Sequence, residues 1–240
     1  MERPAILVVD DEEDICANME DILSEFGYEV VTANNGEDAI ESARARFFDL
    51  ALLDLKMPGM DGLTLFHELQ RISPDTDTLL VTAYATDETA RKALEAGVLQ
   101  VVPKPVDISE LLQCIGDVVS RPLLLVVDDD SDLCANLRDI LSERQYRVSV
   151  ATNVDEALKK IDQSSWQVML LDVCLPEGNG FELIEETMAT KPDARVLMIT
   201  GLEDEEEQLL HKALNAGAKG LCRKPLDVPA LLLKIDQMLG

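Results

Sequence analysis

The chain has 240 residues, 47% hydrophobic and 28% charged, enough for one or two globular domains each with its own core. Its formal net charge is −26, divided unevenly: residues 1–120 carry 25 acidic and 8 basic side chains, residues 121–240 carry 22 and 13. A surface this acidic repels phosphate backbones and anionic lipid, which argues against nucleic acid or membrane as a direct partner.

Residues 5–9 form a continuous apolar, β-branched-rich run, the pattern of a strand covered on both faces. The run ends on Asp10 and Asp11. Ile15, Met19, Ile22, Leu23 and Phe26 then draw a helical stripe, with acidic residues in its first turn that suit the helix dipole, and Gly27 closes it. Residues 28–32 read as a second strand, Asn34-Asn35-Gly36 as a turn and cap, and residues 37–46 as a helix. Residues 50–53 are a third buried strand, which delivers Asp54. After the loop from Pro58 to Gly62 a helix runs to about Ile72, where Pro74 stops it. Residues 78–81 form a fourth strand ending on Thr82 and Ala83, and a charged helix over 87–96 is closed by Gly97. Residues 99–102 form a fifth strand leading to Lys104-Pro105, and residues 108–119 the last helix.

The plan then repeats. Asp10, Asp54 and Thr82 recur 118 positions later as Asp128, Asp172 and Thr200, and Lys104 recurs as Lys224 after a further shift of two. The shift falls between Thr200 and Ala216, in the acidic run Glu203 to Glu207. Length and repeat together predict two domains, residues 1–120 and 121–240. Each is an α/β domain with a doubly wound, five-stranded parallel sheet, and in such sheets ligands bind beyond the carboxyl ends of the strands. The polar residues that stand out all fall at those ends.

An acid at the end of a buried strand is costly unless something offsets its charge. Three carboxylates at one site repel one another, and a hard divalent cation such as Mg²⁺, which prefers oxygen ligands and keeps several waters, removes the conflict. Lys104 is a mobile point charge suited to a phosphoryl oxygen, and Thr82 offers a hydroxyl donor. The small residues Ala83 and Gly201 leave room beside the threonines. Carboxylate nucleophile, metal, hydroxyl and lysine make a minimal phosphoryl-transfer site.

The Asp10-Asp11 pair, the D-L-K-M-P-G-M-D-G run from Asp54, Thr82-Ala83 and Lys104-Pro105 resemble the receiver domain of two-component response regulators. Asp128-Asp129, D-V-C-L-P-E-G-N-G from Asp172, Thr200-Gly201 and Lys224-Pro225 carry the same resemblance, so that two tandem receivers cover essentially the whole chain. The resemblance implies a flavodoxin-like fold in each half. It also implies that Asp54 and Asp172 are phosphoacceptors fed by a histidine kinase or phosphotransfer protein. By the same resemblance Asp11 and Asp129 bind Mg²⁺ directly and Asp10 and Asp128 mainly through water. The resemblance further implies that the backbone carbonyls of Lys56 and Cys174 complete the site and that both Lys-Pro bonds are cis. Val101 and Leu221 stand where many relatives carry an aromatic reporter, so any signal travels by helix shifts or an altered interface.

The five cysteines, Cys16, Cys114, Cys134, Cys174 and Cys222, form no C-x-x-C pair and read as reduced core thiols. With no charged-then-apolar leader and no apolar run near the roughly 20 residues that span a bilayer, the expectation is a cytoplasmic protein. Two readings compete with a signalling switch that works through a downstream protein. One is a scaffold that dimerises through its fourth and fifth helices without phosphate. The other is a phosphatase turning over through an aspartyl phosphate, but such enzymes place a second acid two residues after the nucleophile, where this chain has Lys56 and Cys174. A turnover enzyme is therefore not expected.

Overall fold

The structure, a computed structural model, describes residues 3–83, 87–175, 178–201 and 206–240. The chain divides into two compact units, residues 1–120 and 121–240.

Unit 1 alternates strand and helix throughout: β1 (Ala5–Val9), α1 (Glu13–Glu25), β2 (Glu29–Ala33), α2 (Gly36–Ala45), β3 (Leu50–Asp54), α3 (Gly62–Ile72), β4 (Asp77–Thr82), α4 (Asp87–Ala96), β5 (Gln100–Pro103) and α5 (Ile108–Val119). Its strands lie in the order β2-β1-β3-β4-β5, all pairs parallel. The period of two along each strand splits the apolar side chains between two faces. Leu7, Val9, Ala51, Leu53 and Leu80 pack with Ala39, Ala43, Leu65, Phe66 and Ala93 from α2, α3 and α4. Ile6, Val8, Leu50, Leu52, Leu79 and Val81 pack with Cys16 and Leu23 of α1 and Leu111, Ile115 and Val118 of α5. Each fully buried Leu or Ile contributes about 1.5–3 kcal/mol through its removal from water, so the register of β1 and β3 is held by both faces at once.

Local chemistry starts and stops these elements. Asn35 caps α2 by accepting from the Asp38 amide at 2.9 Å, and Asp61 caps α3 by accepting from the Thr64 amide at 2.7 Å. Gly27 and Gly97 end α1 and α4 with positive φ values of 90° and 105°, a conformation that favours glycine.

Unit 2 follows the same plan with β6 (Leu123–Val127), α6 (Ser131–Glu143), β7 (Arg147–Ala151), α7 (Val154–Gln163) and β8 (Val168–Asp172). A two-stranded antiparallel ribbon, β9 (Cys174–Leu175) with β10 (Gly178–Asn179), then precedes α8 (Gly180–Thr190), β11 (Arg195–Thr200), α9 (Glu206–Ala216), β12 (Gly220–Arg223) and α10 (Val228–Leu239). The parallel sheet has the order β7-β6-β8-β11-β12, equivalent to that of unit 1. The ribbon is not expected from the sequence, because strands of two residues have no periodicity to read. Pro176, Glu177 and the acidic stretch from Glu203 to Glu205 lie outside the described residues. Among the described residues no helix is long and apolar enough to cross a membrane.

Candidate functional site

In both sheets the chain order reverses between the first and third strands of the unit, so the loops after them diverge and leave a crevice at the carboxyl edge. Asp10 immediately follows β1 and Asp54 is the last residue of β3, which brings the two acids to the same opening. Asp10, Asp54 and Thr82 are buried, while Asp11 and Lys56 are exposed. Lys104, from the loop after β5, spans the acids: its Nζ donates to Asp10 Oδ2 at 2.7 Å and lies 2.8 Å from Asp54 Oδ1. The other Asp54 oxygen, Oδ2, accepts from the Lys56 amide at 2.8 Å. Burial works against the charge on Lys104, but its bonds to Asp10 and Asp54 outweigh that and hold its pKa above the ordinary lysine value.

Thr82 is joined to the lysine through the backbone, its carbonyl accepting from the Lys104 amide at 2.8 Å. The Lys104-Pro105 and Lys224-Pro225 peptide bonds are both cis. On the α1 and α5 side a cavity of about 430 Å³ reaches Asp10, Asp54 and Lys104, walled by apolar residues including Ile15, Met19, Val106 and Ile108. A wall of that kind lowers the local dielectric and strengthens the attraction between the ammonium and the carboxylates.

The second unit rebuilds the arrangement. Lys224 Nζ pairs with Asp128 Oδ2 and donates to Asp172 Oδ2, each at 2.7 Å. Asp172 Oδ1 accepts from the Cys174 amide at 3.0 Å, and the Thr200 carbonyl accepts from the Lys224 amide at 2.8 Å. Asp128 is fully buried, and desolvation pushes its carboxyl above the usual carboxylate range against the pull of Lys224 and the Asp130 amide, with the Asp172 charge adding to the upward push. Bonds to its two acids likewise outweigh burial at Lys224 and raise its pKa.

The donor sets fit a hard divalent ion. In unit 2, Asp128, Asp129 and Asp172 each offer an oxygen, and the three atoms lie within 4.8 Å of one another. Asp10, Asp11 and Asp54 are not gathered within that limit. The three acids expected at each site are thus drawn together in unit 2 and less closely in unit 1.

Two glycines explain how β3 and β8 can end here. A Cβ on Gly62 would stand 2.2 Å from the Asp54 carbonyl oxygen, and one on Gly180 would stand 2.3 Å from that of Asp172. The first turns of α3 and α8 therefore press against the backbone of Asp54 and Asp172, and only a missing side chain permits it. Their positions repeat in the sequence, but nothing there reveals the approach. Asp49 was missed altogether: its buried carboxylate accepts from the Ala5 amide at 2.8 Å and fixes the start of β1 against β3, while Gln167 does the same for the Leu123 amide at 2.5 Å. A polar residue directly before a buried strand, in both repeats, was the available signal. One expectation fails: of the five thiols only Cys16 and Cys134 are core residues, Cys114 and Cys222 are half-buried, and Cys174 is exposed because it leaves the sheet with the ribbon.

The response regulator receiver domain model matches the chain twice, over residues 6–116 and 124–236. The chain belongs to the response regulator receiver family. A response regulator receiver protein of Anaeromyxobacter sp. (strain Fw109-5) is 31% identical over 232 residues, covering 97% of this chain and 94% of that protein. The transcriptional regulatory protein ZraR of Klebsiella oxytoca is 37% identical over 123 residues, 51% of this chain and only 28% of that protein. A CheY-like receiver domain from Methanospirillum hungatei JF-1 is 33% identical and covers 50% of this chain and 94% of its own, with a TM-score of 0.47. The chain is therefore a tandem pair of receiver domains of two-component signalling. Receiver domains bind Mg²⁺ at an acidic pocket, and Asp128, Asp129 and Asp172 form a cluster of that kind in unit 2.

Proposed function

We propose that residues 1–120 and 121–240 are two receivers that accept phosphoryl groups on Asp54 and Asp172 from a phosphohistidine of a histidine kinase or phosphotransfer protein, in the cytoplasm. The observation that carries this reading is the lysine-bridged pair of strand-end acids, Lys104 with Asp10 and Asp54, rebuilt by Lys224 with Asp128 and Asp172. A carboxylate oxygen of the acceptor attacks phosphorus. The O–P bond forms as the donor's N–P bond breaks, and the electron pair of that bond returns to the imidazole nitrogen.

Asp10, Asp11, Asp54 and the Lys56 carbonyl would hold Mg²⁺ in the first domain, and Asp128, Asp129, Asp172 and the Cys174 carbonyl in the second. The ion supplies charge neutralisation of the transferring phosphoryl group. Lys104 and Lys224 follow the new phosphoryl oxygens as the acceptor carboxylate is consumed, and the Thr82 and Thr200 hydroxyls donate to them. The aspartyl phosphate adds about −1.5 to −2 charge at the strand ends, and the change is passed on by protein contact. With Lys56 and Cys174 in place of a second acid, the chain accepts phosphoryl groups and does not turn over phosphate esters.

Incubation with a phosphorylated phosphotransfer protein in Mg²⁺ should label both aspartates, with label lost from one domain in Asp54→Ala and from the other in Asp172→Ala. Failure of the wild type to incorporate phosphate under conditions that label another receiver would refute the reading.

A further inference from the structure

We propose that the apolar cavity on the α1 and α5 side of the first domain is a ligand site for a small amphiphilic cation such as an arylalkyl amine, its ammonium held by Asp10 and Asp54. The inference goes beyond the phosphoacceptor reading, because it needs neither metal nor phosphate and rests on the cavity and the charges at its polar end.

The cavity, of about 430 Å³, has the size and the apolar lining of a small-molecule site. Ile15 and Met19 of α1 line it together with Val106 and Ile108, and all four are half-buried. The buried Val8 of β1 and Leu52 of β3 line it as well. Among the described residues around it the only charged ones are Asp10, Asp54 and Lys104. An apolar body is therefore covered along its length, and its head is read at one place.

At that place two carboxylates meet one ammonium. Lys104 Nζ lies 2.7 Å from Asp10 Oδ2 and 2.8 Å from Asp54 Oδ1, which leaves the trio with one net negative charge. Asp10 is 4% and Asp54 7% exposed, so water offsets little of it. The second oxygen of each carboxylate takes a backbone amide, from Glu12 at 3.0 Å and from Lys56 at 2.8 Å, and a carboxylate oxygen can accept more than one hydrogen bond. A further ammonium thus finds acceptors, whereas a carboxylate head would meet like charge. Even in a water-like dielectric, a unit charge at close reach of another changes affinity by about fivefold.

The test uses the full chain without metal or phosphodonor, isotope-labelled at its methionine methyls, and three probes of one shape: 4-phenylbutylamine, 4-phenylbutan-1-ol and 4-phenylbutanoate. Titration followed by nuclear magnetic resonance should shift the Met19 methyl signal, assigned through Met19→Leu. The amine should bind about fivefold or more tighter than the alcohol, and the carboxylate more weakly still. Asp10→Asn should narrow the gap between amine and alcohol, and Ile15→Trp, which fills the cavity from its half-buried wall, should weaken all three. The probe series on the wild type decides the head group even where a variant fails to fold. No saturable binding of the amine, binding that leaves Met19 unmoved, an alcohol or carboxylate that binds as well as the amine, or an unchanged gap in folded Asp10→Asn would overturn the proposal. Mg²⁺ should weaken the amine, since the metal reading puts the ion on the same acids. Amine preference without that competition would uphold the cavity site and count against the metal site instead.

Discussion

Lys104 Nζ lies 2.8 Å from Asp54 Oδ1, although Asp54 ends β3 and Lys104 follows β5. The same amine satisfies Asp10, so a single cation offsets two buried carboxylates, with its own side chain only 21% exposed. Removing it in Lys104→Met leaves both acids desolvated and facing each other. A hydrogen bond to a charged group contributes about 1.5–3 kcal/mol, and a loss of that size is expected in urea unfolding without metal, shrinking when Mg²⁺ is added. The folded pKa of Lys104 is raised, so this contribution is complete at neutral pH and is lost only as pH rises above the lysine range. Phosphoryl acceptance on Asp54 should fall by about a hundredfold with Asp172 unaffected. Equal loss at both aspartates would count against separate sites.

Gly62→Ala tests the close approach of α3 to the end of β3. The new Cβ meets a backbone oxygen at 2.2 Å, and backbone cannot turn aside as a flexible side chain would. Overpacking of this kind costs about 1–3 kcal/mol, and here the displaced atoms belong to Asp54 itself, so metal affinity should fall together with stability. Gly180→Ala should do the same in the second domain. Gly116→Ala in α5 is the control: nothing lies within 4 Å, and a mid-helix glycine replaced by alanine should gain about 0.5–1 kcal/mol. Chemical denaturation of the three variants decides it, and a neutral Gly62→Ala would show that the approach is not tight.

β1, β3, β6 and β8 were legible as apolar runs, and the site because Asp10, Asp54, Thr82 and Lys104 each end or closely follow a strand. Boundaries moved by a residue or so: β2 spans Glu29–Ala33 and β5 spans Gln100–Pro103, since pairing continues into polar or turn residues that carry no hydrophobic signal. The ribbon formed by β9 and β10 was not legible, being too short for any period. Nor was the unequal gathering of the acids, because it depends on where the exposed Asp11 and Asp129 side chains are directed. Gly62 shows only that a side chain is missing, and its reason is a backbone contact that pattern cannot reveal.

Tyr146 and Asp236 give the second domain a pH-dependent tie between the start of β7 and α10. The phenol donates to Asp236 Oδ1, and burial, then that bond and the carboxylate charge, push the Tyr146 pKa up to about 12 from an ordinary value of 10. The folded state therefore holds this proton more tightly than the unfolded chain. The contribution is complete below pH 10 and disappears as pH rises from 10 to 12. The stability difference between wild type and Tyr146→Phe should be constant from pH 7 to 9 and narrow above 10, measured by urea unfolding across that range. A difference that stays constant to pH 12 would dismiss the tie.

Cys174 is the thiol on which the two domains should be told apart chemically. It is exposed where Cys16 and Cys134 are buried, the latter with its pKa pushed up to about 11, and it sits two residues past Asp172. Partial burial, then the Asp172 charge, raises the Cys174 pKa as well, so its thiolate fraction at pH 7.5 is below that of a free cysteine and its alkylation should accelerate with pH beyond the usual thiol range. Iodoacetamide at pH 8 should nevertheless modify Cys174 first, as read by peptide mass spectrometry, because access separates it from the others. The added group, two residues past Asp172, should obstruct the approach to that carboxylate. The modified chain should then lose acceptance on Asp172 and keep it on Asp54. Earlier modification of Cys114 or Cys222, or full acceptance on Asp172 after modification, would show that the thiol does not line the path of the incoming phosphoryl group.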